Sequence, residues 1–452
     1  MKRREFLTRS IQAALAGSSM TATLGHLSLV NAMVPPADDY RALVCVFLFG
    51  GNDSYNMVVP SGGLEYEAYA DARQSLAVAA EDLVSINPLT TAGTFGFHPS
   101  APELAGLFND NKLAVAANIG ALVEPTSRTS FENGNIELPQ QLFSHNDQQK
   151  YWQSLNTNVA KPTGWAGRMA DLLEGSNGET GLSMNITIAG SNLWQTGSAT
   201  LPYSIGAGGV QTLKGLNSAA SGERERRRAD AFNAMLTSSP TSAFGQEFAR
   251  VQQRSINLAD LIADQIADVP PLETQFPDGN PLGGSLSMVA RLIAAREALG
   301  MKRQTFFVSL GGWDTHSDQL ERQPILISRL SQGLHAFSQA MEELGIGNEV
   351  TTFTASDFGR TLTSNGDGSD HGWGGHQLIM GGAVNGKEIY GNMPIIEIEG
   401  PQDSGRGRII PTTAIDQMGA TLASWFGLGA SELNEVFTNM KNFSIQNLGF
   451  MR

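Results

Sequence analysis

The sequence is poor in several features that would point directly to a class of function. It has one cysteine, so no intrachain disulfide can brace it. That residue, Cys45, lies inside the apolar run ALVCVFLF, where a small hydrophobe packs into a core. Basic residues are outnumbered, with 30 Lys and Arg against 44 Asp and Glu and a net charge of −14. A phosphate backbone or an anionic lipid surface attracts the opposite balance, which argues against nucleic acid as a partner and against charge-driven membrane docking. Beyond the N-terminus no apolar run approaches the ~18 residues of a membrane-spanning helix. No glycine-rich loop has the dinucleotide or nucleoside-triphosphate pattern.

What is present describes a globular chain. Its 452 residues suffice for one large α/β domain or two ordinary ones, and 41% hydrophobic content supports a packed core. The N-terminus is set apart. MKRREFLTRS carries Lys2, Arg3, Arg4 and Arg9 with the single acid Glu5, and an apolar small-residue run leads to VNA at 30–32. This pattern predicts an export signal over residues 1–32 and a periplasmic or secreted protein. The adjacent Arg3 and Arg4 before EFL resemble a twin-arginine signal, a route that carries folded proteins; an ordinary secretory signal or an uncleaved anchor is the other reading.

Residues 33–452 then read as one domain. The almost unbroken apolar run from Ala42 to Phe49 predicts a fully buried parallel strand, closed by GGND. KLAVAANIG, TFFVSL, VTTFTA and QLIMGG predict further strands. SAPELAGLF, SLSMVARLIAAREALG, ILISRLSQGLHAFSQAMEELG and TTAIDQMGATLASWFGL predict helices between or after them. Alternation of this kind predicts a mostly parallel sheet covered by helices on both faces, a three-layer α/β core. From about 165 to 285 the texture turns to glycine, serine and threonine with weak strands, then to long charged or amphipathic helices; this predicts an inserted cap over the sheet. LPQQLFSHNDQQKYWQS, with His145 and Asp147, has no strong period.

In open α/β sheets ligands gather beyond the carboxyl ends of the strands. Three predicted strands deliver acids there: Asp53 from GGND, Asp314 with His316 from GGWDTH, and Asp357 with Arg360 from SDFGR. In extended chain Asp314 and His316 point the same way and can reach one point. The loop SDHGWGGH adds Asp370, His371 and His376. Carboxylates mixed with imidazoles suit zinc, manganese or iron, and all-oxygen sets suit magnesium or calcium. Each residue also has a plainer reading. Asp53 after two glycines is good turn chemistry, Asp357 can pair with Arg360, His376 can be a supporting hydrogen-bonder, and Asp370 can end its loop. Trp313 and Trp373, flanking the histidines, read as cleft walls.

Taken together, LFGGNDSYNMVVP, GFHPSAPELAGLF, LFSHNDQ, FFVSLGGWDTHSDQ, SDFGR and DHGWGGHQLIMGGAV resemble the DUF1501 family of exported bacterial proteins, placed in the alkaline phosphatase and sulfatase superfamily. The resemblance implies an alkaline-phosphatase-like core with one or two divalent ions (zinc, manganese, magnesium or calcium) at the sheet edge. Asp53 then resembles the first-strand metal ligand, Asp314 and His316 the pair for the other ion, Asp357 the aspartate of an Asp-His doublet, and His371 the last histidine. Where the doublet would have histidine this chain has Phe358, which cannot ligate, so a second ion needs His376 or His145 to complete it. Superfamily nucleophiles lie at helix starts, which here implies Ser127, Thr129 or Ser130 in EPTSRTSFENG, with Ser54 as another choice. Arg128 or Arg360 would neutralise the oxyanion. The function implied is a metal-dependent hydrolase of phosphate or sulfate esters, on a small-molecule or polymer substrate. The alternative is a non-catalytic descendant serving as an envelope binding or assembly protein.

Overall fold

A computed structural model describes residues 37–156, 162–178, 181–210, 222–237 and 242–452. The predicted signal over 1–32 lies outside the described residues. Among the described residues there are fourteen strands: β1 (Arg41–Phe49), β2 (Val58–Pro60), β3 (Val84–Ile86), β4 (Phe95–Phe97), β5 (Leu113–Gly120), β6 (Asn185–Thr187), β7 (Tyr203–Ser204), β8 (Arg303–Gly311), β9 (Val350–Ser356), β10 (Arg360–Ser364), β11 (Ser369–His371), β12 (Gly375–Met380), β13 (Ile389–Tyr390) and β14 (Thr413–Ala414).

Nine of them form one sheet in the order β13-β5-β12-β9-β1-β8-β6-β7, with β14 also on β5. β1 lies at its centre, parallel to β8 on one side and to β9 on the other. β12 runs against both its neighbours, β5 and β9, and the other pairings are parallel. The sheet is therefore mixed and mostly parallel, as the alternation of strands and helices predicts.

The side-chain period of two explains why β1 is apolar throughout. Ala42, Val44, Val46 and Leu48 enter one core with the helices Pro102–Asn109, Pro281–Ala294 and Gln319–Glu343. Leu43, Cys45 and Phe47 enter a second core with the helices His145–Ser154, Trp165–Leu173 and Ile415–Phe426. A strand buried on both faces has no place for alternating polar residues. The layers are thus helix, sheet, helix.

The stretch 165–285 is only in part what its texture predicts. Trp165 is buried against Trp194 and Phe353, and β6 pairs with β8, so residues near 165–205 complete the sheet and core rather than cap them. Short strands whose burial rests on a few residues leave little periodic signal. The helix Ala243–Asp268 joins the first core through Ile262 and Ile266. LPQQLFSHNDQQKYWQS also differs from expectation: it contains the helix His145–Ser154, which buries Gln148, Gln153 and Ser154 beside Tyr151 and Trp152. Polar residues on its buried face erase the apolar period. Among the described residues no helix is long and apolar enough to cross a membrane.

Candidate metal centre

The carboxyl edge of the sheet is shaped by tight turns after β1 and β8. Gly50 has φ 119°, and a Cβ there would lie 2.3 Å from the Asp314 amide nitrogen. Glycine is needed because the two turns touch; the Trp313 amide donates to the Phe49 carbonyl at 3.1 Å. This contact sets Asp314 beside the start of the Asp357 loop, where Asp357 Oδ1 accepts from the Gly50 amide at 3.2 Å.

Three side chains from three elements converge here. One ligand atom from each of His145, Asp314 and His371 lies within 4.8 Å of the others. His145 Nε2 is 3.6 Å from Asp314 Oδ2, and His371 Nε2 is 3.7 Å from Asp314 Oδ1. Both imidazoles are held from behind. His145 Nδ1 bonds Asp357 Oδ2 at 2.7 Å, and His371 Nδ1 bonds the Phe143 carbonyl at 2.8 Å. Each acceptor fixes the proton on Nδ1 and turns the Nε2 lone pair toward Asp314, the arrangement metal-ligating histidines adopt. His371 Nε2 is buried and has no hydrogen-bond partner. An orphaned nitrogen aimed at a carboxylate and a second imidazole fits a divalent cation.

The electrostatics follow from the same contacts. The Asp357 hydrogen bond raises the His145 pKa above the usual imidazole value, outweighing burial. Burial lowers that of His371, against the Phe143 carbonyl. For Asp314 burial acts upward, but the Arg360 hydrogen bond and charge, with His316 and His145, hold the carboxyl below its ordinary range. Phe358 forms a wall, its ring 4.8 Å from His145 and 4.5 Å from His371 between centroids.

Several expected roles are revised by the geometry. Asp357 is fully buried and faces His145, Gln149 and the Gly50 amide, which places it behind the converging groups rather than among them. Asp53 does not join the cluster. Its Oδ2 pairs with Arg73, both side chains being wholly buried, and accepts from Gln319 at 2.5 Å. His316 Nδ1 lies 2.7 Å from Asp314 Oδ1, placing that ring beside the cluster and outside its three converging groups. His376 lies inside the sheet, its Nδ1 accepting from the Asn118 amide at 3.1 Å, and burial lowers its pKa to about 4. Asp370 accepts from Asn365 across the β10–β11 hairpin.

The predicted nucleophile segment has a structural task. Ser127 and Ser130 form a reciprocal capping box on the six-residue helix Arg128–Asn133, with Ser127 Oγ accepting from the Ser130 amide at 3.1 Å. Thr129 is exposed on that helix. Arg128 is tied to Glu132 at 2.7 Å and to the Glu399 and Gly400 carbonyls. Ser54 Oγ is buried and accepts from the His376 amide at 2.7 Å. Asp147 accepts from the Ser144 hydroxyl at the start of its own helix. Trp313 is buried, and Trp373 donates to the Ala121 carbonyl at 2.8 Å, so both are core residues. Arg360 is fully buried with its N–H groups engaged by the protein, leaving none for a substrate oxyanion.

Gln149, Phe143, Arg73 and Gln319 are functional neighbours that the motifs do not single out. Gln149 follows His145 by four residues, the helical spacing that lets both meet Asp357, and it shows only once the segment is read as a helix.

Among curated proteins none matches the chain. Similar solved structures include the lipoteichoic acid synthase LtaP from Listeria monocytogenes, at 8% identity and TM-score 0.34, covering 92% of this chain and 81% of that one. The PsFucS1 sulfatase from Pseudoalteromonas sp. has 11% identity and TM-score 0.34, covering 98% and 77% respectively. The phosphonate monoester hydrolase SpPMH from Silicibacter pomeroyi has 8% identity and TM-score 0.34, covering 86% and 73%. The family match is far broader in what it establishes: a model described as a protein of unknown function, DUF1501, covers residues 40–420, from β1 into the helix Ile415–Phe426, and the chain belongs to the DUF1501 family.

Proposed function

We propose that the protein is an exported metal-dependent hydrolase of phosphate or sulfate esters. The observation that supports this most is the cluster itself: two imidazole Nε2 atoms, both with their Nδ1 side anchored, around a carboxylate that is 48% exposed. An ion held there would supply Lewis-acid polarisation of an anionic ester oxygen.

The chain's own residues do the rest. Asp357 and the Phe143 carbonyl keep the imidazoles oriented, and Phe358 closes one side against water. The open side of Asp314 admits the substrate. Water adds at phosphorus or sulfur, the bond to the leaving oxygen breaks, and an alcohol and inorganic phosphate or sulfate are released. The capping role of Ser127 and Ser130 favours water over a serine nucleophile.

One observation favours a second reading. Phe358 lies against the two histidines, and the hydroxyls of Ser127 and Ser130 cap a helix, as in a binding protein that retains a cation without turnover. The two readings separate in one experiment on protein purified from the periplasm: metal analysis followed by a panel of phospho- and sulfo-esters. Bound metal with turnover that disappears in Asp314→Ala supports the hydrolase. Bound metal without turnover on any ester supports the binding protein.

A further inference from the structure

The carboxylates that two ions would share are already partly neutralised by the chain. Arg360 is fully buried and donates from Nη2 to the Gly50 carbonyl at 2.6 Å, to the Trp313 carbonyl at 3.2 Å and to Asp314 Oδ1 at 2.5 Å. Its Nε reaches the Gly51 carbonyl at 3.0 Å, and Nη1 reaches the Ser369 carbonyl at 2.9 Å and stands 3.4 Å from His316 Nδ1. The guanidinium thus fastens the turns after β1 and β8 to β11 and carries a fixed positive charge against one oxygen of Asp314. Arg73 does the same for Asp53, its Nη1 also donating to the Thr361 carbonyl at 2.8 Å.

The remaining donors are few. Asp357 faces three hydrogen-bond donors of the protein. Asp53 Oδ1 is buried without a hydrogen-bond partner but lies outside the convergence; within it Asp314 Oδ2 and the two Nε2 atoms are left, a two-imidazole, one-carboxylate set. Hard cations such as calcium take six or more oxygens, whereas imidazole pairs with one carboxylate suit zinc, manganese or iron. Charge decides the number of ions. Three carboxylates, Asp53, Asp314 and Asp357, face two buried arginines, leaving about one negative charge; one divalent ion reverses this to one positive charge, suited to an anionic ester. A second ion would press two more charges against Arg360 across a distance at which like charges repel strongly in a buried setting.

We propose that the centre binds a single first-row transition ion through His145, Asp314 and His371, with Arg360 as the resident cation where a second metal would otherwise stand. The inference rests on the metal-dependent reading of this cluster and specifies its composition. The test is metal content after equilibration of the full chain with equimolar zinc, manganese, calcium and magnesium, read as ions per chain. One zinc or manganese per chain, reduced at least tenfold in both His145→Ala and His371→Ala and retained in Asp53→Asn, is the expected result. Cobalt substitution gives a second reading: a visible absorption band from nitrogen-ligated cobalt, lost in the same two variants. Two ions per chain, or calcium or magnesium alone, overturn the single transition-ion centre while leaving a metal-dependent hydrolase intact. No ion under any loading overturns that reading together with this one.

Discussion

Asp53 and Asp314 close adjacent parallel strands, follow paired glycines, and meet a buried arginine, yet their surroundings differ. Asp53 is closed in by the protein: Arg73, Gln319 and the walls of the core leave it wholly buried. Asp314 shares one oxygen with Arg360 and keeps the other beside His145, with nearly half of its side chain open to solvent. The same residue in the same kind of turn is a buried counter-ion in one strand and the open corner of the proposed ligand set in the next. What separates them is which partners the flanking helices bring. The helix Gly63–Arg73 sends a guanidinium to Asp53, while the helix His145–Ser154 and the strand β11 send imidazoles to Asp314.

The largest expected effect breaks the closed side. Arg73→Met leaves Asp53 as an unpaired buried charge, which costs about 3–5 kcal/mol. Urea unfolding of the variant should show that loss, and the double change Arg73→Met with Asp53→Asn should recover most of it. If the single change is neutral, Asp53 is not a counter-ion and regains its claim as a metal ligand.

A third carboxylate extends the comparison. Asp416 is fully buried and, among the described residues, makes no ion pair within 4.0 Å; burial pushes its pKa up to about 7. An unfolded aspartate titrates near ~4. Between these values the unfolded chain has released a proton that the folded chain keeps, so stability falls as pH rises from about 4 to 7 and is level above that. Asp416→Asn removes this slope. Relative to the parent it should gain on the order of a few kcal/mol between pH 4 and pH 8, read as the difference in urea midpoints. Equal midpoint shifts at both ends would show that folding does not raise the Asp416 pKa.

Smaller again is the effect of the group behind a ligand. Asp357→Asn keeps the shape but weakens the acceptor that orients His145, and metal affinity should drop about 10- to 100-fold. Titration with zinc reads the change directly. Complete loss of binding would make Asp357 a ligand after all.

Much of this architecture is legible in the sequence because it follows from period and length. The unbroken apolar run of β1, the glycine pairs after β1 and β8, and the strand-to-acid pattern all reflect local rules. So does the assembly of Asp314 and Asp357 on one edge, since residues after parallel strands of one sheet share that edge whatever their separation, whereas His371 comes from the separate β10–β11 sheet. The division of labour among the acids was not legible. It depends on Arg73, which reaches Asp53 from a helix with no motif of its own, and on Arg360, which follows Asp357 by three residues but faces Asp314. The sequence offers His145 only as a residue that could complete a second site, for a related reason. Its helix buries glutamines and a serine, so the segment lacks the apolar stripe that marks a helix.

His316 provides the finest test of the boundary between ligand and neighbour. It follows Asp314 by two residues, as a second ligand from an extended strand would, but its Nδ1 stands 2.7 Å from Asp314 Oδ1 and its side chain is 43% exposed. An exposed charged or polar contact of this kind contributes roughly 0.2–1 kcal/mol. His316→Gln should therefore lower zinc affinity less than about tenfold, a limit set by that contribution, whereas His371→Gln removes a donor atom and should abolish tight binding. Both variants measured by the same competition titration place the two rings on one scale. If His316→Gln loses the ion as completely as His371→Gln does, the chain's own spacing of Asp314 and His316 outweighs the convergence seen around His145, and the ligand set moves toward the exposed side of the β8 turn.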